Sequence, residues 1–130
     1  MNVKTKTAEK EIAELLKVLG SEVRVRILYS IGHGEACVCH LETVLKKRQA
    51  YISQQLMTLR EAGLVSDQRV GLNIFYRVTN PSVYAILDTA DEITGSAEPE
   101  FVEFERTNNK VAACPCPKCS PGDKEGGDVC

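Results

Sequence analysis

The stretch Lys46 to Val65, KKRQAYISQQLMTLREAGLV, constrains the fold more than any other part of the chain. Placed on a helix from about Gln49 to Ala62, it divides into two faces at the 3.6-residue period. Ile52, Leu56 and Leu59 fall at i, i+4 and i+7, an apolar stripe suited to burial. Tyr51, Gln54, Gln55 and Thr58 fall at i, i+3, i+4 and i+7 on another side. Those four can hydrogen-bond yet carry no charge, an unusual choice for a face that only meets water. Gly63 supplies the positive-φ stop expected after a helix. Upstream, Leu41, Val44 and Leu45 predict a short amphipathic helix ended by Lys46-Lys47-Arg48. Two helices joined by a tight basic connection predict a helix-turn-helix.

This pattern divides labour as DNA readers do. Lys46, Lys47, Arg48 and Arg60 can neutralise phosphates and set register, while Tyr51, Ser53, Gln54, Gln55 and Thr58 are the candidates to face the groove. Gln can donate and accept at adenine N6 and N7, and Ser can address several bases. The plainer alternative is a solvated helix in an ordinary helical bundle. Leu64 to Val78, LVSDQRVGLNIFYRV, argues further for the DNA reading. It is rich in β-branched and aromatic residues, breaks at Gly71-Leu72-Asn73, and predicts a β-hairpin. A hairpin directly after a recognition helix is a wing. Arg69 and Arg77 are its cations, Arg69 being the candidate phosphate contact, and the uncharged turn implies a modest one.

The remaining elements follow from periodicity and punctuation. Residues 8–19 set Ile12, Leu15, Leu16 and Leu19 on one face of a helix that Gly20 ends. Ser21 can cap a second helix, Glu22 to Ile31, with Val23, Ile27 and Ile31 inward and Arg24 and Arg26 in solvent. After the wing, Asn80-Pro81 opens a helix to Thr94 with Pro at its first position. Val83, Ile86, Leu87, Ala90 and Ile93 make its apolar stripe, and Asp88, Asp91 and Glu92 a solvated face. The expected fold is mainly α with a β-hairpin wing: a winged helix-turn-helix over residues 1–95, followed by an acidic, Cys/Pro/Gly-rich tail over residues 96–130.

Net charge conceals this organisation. The chain carries −2 overall. Residues 41–78 hold six Lys/Arg against three Asp/Glu, a local +3, whereas residues 88–130 hold four against ten, a local −6. No apolar run approaches the roughly 18–20 residues that span a bilayer, and MNVKTKTAEKE lacks a signal peptide's apolar segment. A cytoplasmic protein with no membrane partner is expected, in which six cysteines read as thiols or metal ligands rather than a disulfide framework.

Two cysteine clusters stand out. In Ala36-Cys37-Val38-Cys39-His40, one cysteine could fill a small core site. Residues i and i+2 on a helix point about 200° apart, so the core can take only one. The pair also sits at a helix N-terminus, where the dipole and unsatisfied N–H groups favour thiolate, and thiolates select soft ions. If both sulfurs grip one ion, a helical first turn would have to distort, coupling occupancy to DNA affinity. His33 and His40 are candidate minor ligands, with a surface histidine the plainer reading of each. The second cluster, Cys114-Pro-Cys116-Pro-Lys-Cys119, is an extended tether, since its prolines forbid a helix.

Through LLKVLGSEVRVRILYSI, ACVCHL and ISQQLMTLREAGLVSDQRVGLNIFYRV, the chain over residues 10–95 resembles the ArsR/SmtB-type family of winged-helix repressors. The resemblance implies a homodimer, with the last helix's stripe meeting its two-fold mate and the first helix. It implies binding to double-stranded operator DNA and release when a metal or metalloid binds. The Cys37/Cys39 pair resembles the inducer-binding pair of the family's arsenic and cadmium sensors. The arsenic-sensor motif continues with an acidic residue and a third cysteine, where this chain has His40 and Glu42. The expected completion is therefore one or two of Cys114, Cys116 and Cys119, from the same or the partner subunit. As(III) suits three thiolates; Sb(III), Cd(II) and Pb(II) are alternatives, and no organic cofactor is implied. The zinc-sensing branch uses His on the last helix, where this chain has none. A thiol redox or persulfide sensor using the same cysteines, or a metal-sequestering module, stays open. An enzyme is not expected: the chain lacks a Gly-rich phosphate loop, a nucleophile with its base, and paired carboxylates, so no catalytic residue is proposed.

Overall fold

The computed structural model describes residues 7–95, and Cys114, Cys116 and Cys119 lie outside them. Helix α1 (Ala8–Leu19) starts where Thr7 Oγ1 accepts from the Lys10 N–H at 3.2 Å and stops at Gly20. Helix α2 (Glu22–Ile31) starts where Ser21 Oγ accepts from the Arg24 N–H, the capping role expected of that serine. Strand β1 (Ala36–Cys37) leads directly into α3 (Val38–Leu45), and α4 (Gln49–Glu61) follows after a three-residue turn. Strands β2 (Val65–Val70) and β3 (Asn73–Val78) form the wing, and α5 (Ser82–Thr94) ends the described chain.

Ile27, Leu28, Ile31, Leu41, Ile52, Leu56 and Leu59 are the largest fully buried side chains, so α2, α3 and the inner stripe of α4 share one core. Burying each such side chain contributes roughly 1.5–3 kcal/mol. The end of α4 is fixed as sharply as its face. Gly63 adopts φ +80°, the Leu64 N–H reaches Leu59 O and the Gly63 N–H reaches Arg60 O, which is the Schellman pattern.

The sheet runs β1-β3-β2, antiparallel throughout. The wing turn is tighter than the sequence implies. Val70 pairs with Asn73, leaving only Gly71-Leu72 in the loop, and Asn73 is buried in β3. Gly71 has φ +64° and Leu72 does not have positive φ, the arrangement of a two-residue II′-type hairpin turn. Strand β1 was not expected, and it pairs Ala36 with Tyr76 and Cys37 with Phe75. Helix α5 begins one residue later than Pro81, which already has helical φ −61° and ψ −14°; Asn80 Oδ1 caps it from the Ser82 N–H at 3.1 Å. Its apolar stripe divides along its length. Val83 and Leu87 join the core, while Ile93 is 81% exposed, and Ile12 on α1 is 56% exposed. No helix of the described residues is long and apolar enough to cross a membrane.

Candidate nucleic-acid interface and thiol pair

Three exposed cations, Lys46, Lys47 and Arg48, form the turn that leads into α4. Helix α4 has no side-chain cap at its first residue, so its leading N–H groups and positive dipole end sit beside that basic turn. A helix N-terminus left open in this way is a ready anion seat. Along α4, Tyr51 and Gln54 are exposed, and Ser53, Gln55 and Thr58 are half-buried.

The expected reading face is not one surface. Ser53 lies about 200° around the helix from Tyr51, so those two diverge. Gln55 is held from within: Arg24 Nη1 donates to Gln55 Oε1 at 2.8 Å, and Arg24 Nε donates to Val18 O at 2.7 Å. Arg24, expected in solvent, is therefore half-buried and bridges α1, α2 and α4. Arg26 is half-buried as well, not a solvated residue. Thr58 Oγ1 donates to Gln54 O at 3.3 Å. Arg60 is exposed but paired with Asp67 of the wing at 2.8 Å, which ties α4 to β2. Across the sheet from Asp67, Tyr76 has its phenol pushed up by partial burial and then by the Asp67 carboxylate. Arg69 and Arg77 are exposed on the wing strands, and Leu72 at the tip is 68% exposed.

Cys37 and Cys39 do come together. Their sulfurs are 3.0 Å apart at the strand-to-helix junction, with Cys37 fully buried and Cys39 half-buried. Only one of the two is taken fully into the core, as expected, but the expected distortion of a helical first turn does not arise, because Cys37 is not helical. It caps α3 from an extended conformation, φ −90° and ψ 168°, and its sulfur accepts from the His40 N–H at 3.4 Å. That conformation folds its side chain back over the first turn, so the pair needs no unwinding of α3 to meet. His40 is 2% exposed, not a surface residue. His33 is exposed, its ring 5.3 Å from that of Tyr84. Tyr84 donates to Leu28 O and Gly32 O, closing the end of α2. Among the described residues no group of three or more His, Cys, Asp or Glu is arranged around a metal site.

A helix-turn-helix with its second helix open to solvent, a basic turn and a hairpin packed behind it defines a winged-helix DNA-binding regulator. The model of bacterial regulatory proteins of the arsR family matches residues 21–67. The chain is 38% identical over 78 residues to a biofilm growth-associated repressor of Agrobacterium fabrum, covering 60% of this chain and 67% of that one. It is 40% identical over 67 residues to the arsenical resistance operon repressor of Escherichia coli, covering 51% and 57%. The solved structure of the transcriptional repressor BigR from Xylella fastidiosa is 37% identical with a TM-score of 0.60, covering 69% of this chain and 91% of that one. The chain belongs to the ArsR/SmtB family of transcriptional repressors, which are DNA-binding regulators and not enzymes.

Proposed function

We propose that this repressor binds operator DNA as a homodimer and lets go when Cys37 and Cys39 take a thiophilic ion, As(III) foremost. The observation that carries the proposal is the double membership of Cys37. Its backbone pairs with Phe75 of the wing and its sulfur caps the first helix of the helix-turn-helix. Two sulfurs about 2.3 Å from one ion stand roughly 3.5–3.8 Å apart. The pair must therefore open from 3.0 Å, and Cys37 cannot move without stressing wing and helix together. This replaces an unwound first turn as the coupling device. Cys114, Cys116 and Cys119 are the candidates to supply the third sulfur, and the arsenical relative favours As(III) over Sb(III), Cd(II) or Pb(II).

On the DNA side, Lys46, Lys47 and Arg48 and the uncapped start of α4 hold phosphates, and Tyr51, Gln54, Gln55 and Thr58 approach bases. Arg69 serves the wing. Exposed Ile12, Leu16 and Ile93 on α1 and α5 are the surface a two-fold mate would cover, which sets the two α4 helices one DNA turn, about 34 Å, apart. A second reading, oxidation of the same thiols, is favoured by the 3.0 Å approach. Gel shifts of operator DNA with arsenite, antimonite, Cd(II), Pb(II) and peroxide separate the two. Release by arsenite without oxidant supports the metalloid reading; release by peroxide alone overturns it. A steep loss of binding with salt is expected in either case.

A further inference from the structure

Gln55 is the one polar residue of α4 whose side-chain amide is engaged from inside the protein, and the engagement has a chemical direction. A guanidinium has five donors and no acceptor. The atom of Gln55 that meets Arg24 Nη1 at 2.8 Å must therefore be the amide oxygen, and the NH₂ is the group left for anything arriving from outside. Arg24 is itself held: its Nε donates to Val18 O in the last turn of α1, and its N–H donates to the Ser21 cap. Its fork is set by two helices before it touches the third.

We propose that Arg24 is a positioning residue that turns Gln55 so that it reads with its NH₂ group. A free Gln amide matches adenine, donating to N7 and accepting from N6. With its oxygen turned toward Arg24, Gln55 presents its NH₂ to a base edge, which suits guanine O6 and N7 or thymine O4. The inference rests on α4 lying in the major groove and goes beyond it, to the base class that one side chain selects. Sequence alone hides this, because Arg24 and Gln55 are 31 residues apart and neither spacing nor charge pairs them.

The test selects duplexes from a library with about 20 randomised base pairs, enough for two half-sites one turn apart, and then measures affinity for every single-base change in the selected site. Wild type is expected to prefer guanine or thymine at one position of each half-site. Gln55→Glu keeps an acceptor for Arg24 but offers the groove only acceptors. Its preference at that position should move to cytosine or adenine by about tenfold. Arg24→Lys keeps a cation but cannot fork between Val18 O and Gln55. It should admit adenine at that position and relax discrimination there about fivefold, with other positions unchanged. Circular dichroism confirms folding, and Gln55→Glu decides the matter if Arg24→Lys fails to fold. A sequence-specific wild type whose base preferences survive both substitutions, with affinity merely lowered on every sequence, overturns the role of Arg24 and leaves DNA reading intact. A wild type that selects no sequence overturns both.

Discussion

The two helices of the helix-turn-helix begin in opposite ways. Helix α3 starts inside the protein, at a cysteine with no exposed surface that is paired to the wing strand and capped by its own sulfur. Helix α4 starts in water, after three exposed cations, with no side chain closing its first turn. One entrance is over-determined and the other is left open. The proposed switch sits at the first, where an opening of about 0.5–0.8 Å between the sulfurs strains wing and helix together; the proposed phosphate seat is the second, where the leading N–H groups have no side-chain cap.

The sharpest way to break the contrast is at the buried entrance. Replacing Cys37 and Cys39 together with serine should leave operator affinity within about twofold, since Ser caps helices well. The response to arsenite, expected in the range of about 5–150-fold, should vanish in the same gel shift. A double variant that still releases DNA on arsenite removes the switch from this junction. At the open entrance, Lys47→Ala should reduce the slope of log affinity against log salt by about 1, uniformly across sequences. A base-dependent effect would mean that Lys47 reads rather than holds.

The loop that feeds β1 is held by Tyr84, which donates to Gly32 O. Burial pushes the Tyr84 phenol well above its ordinary 10.0, outweighing the hydrogen bond to Gly32 O that lowers it. The folded state thus keeps the proton longer than the unfolded chain does. That contribution is whole below pH 10 and shrinks as pH rises further. Tyr84→Phe should cost about 0.5–1.5 kcal/mol near neutrality and flatten the alkaline decline in urea melts run at several pH values. The smallest effect belongs to the bridge between reader and wing. Asp67→Asn frees Arg60 from an exposed pair, so stability should change by less than about 1 kcal/mol. DNA affinity should rise modestly, which filter binding at low salt can resolve.

What the sequence makes legible is whatever repeats along the chain. Ile52, Leu56 and Leu59 recur at helical spacing, and all three are wholly buried. Gly63 and Ser21 announce helix ends and behave as read. Strand β1 is invisible because two residues cannot show an alternation, and missing it hid the link between Cys37 and Phe75. The thiol pair is legible from its spacing at a helix start, but its geometry is not: the sulfurs meet because Cys37 is extended, not because a helix yields. His40 misled because polarity alone suggested solvent, while its place directly after the junction turns it inward. Arg24 misled in the same way, for its partners lie on two other helices.

Lys46 is the only non-glycine among the described residues with positive φ, at +57°. An L-residue is strained there by about 1–2 kcal/mol, and glycine would relieve it. A bench campaign that screened only for heat resistance would therefore drift toward Lys46→Gly, and the hardier descendants would carry one cation fewer at the mouth of α4. In this molecule a discomfort of the backbone is where a charge has been kept.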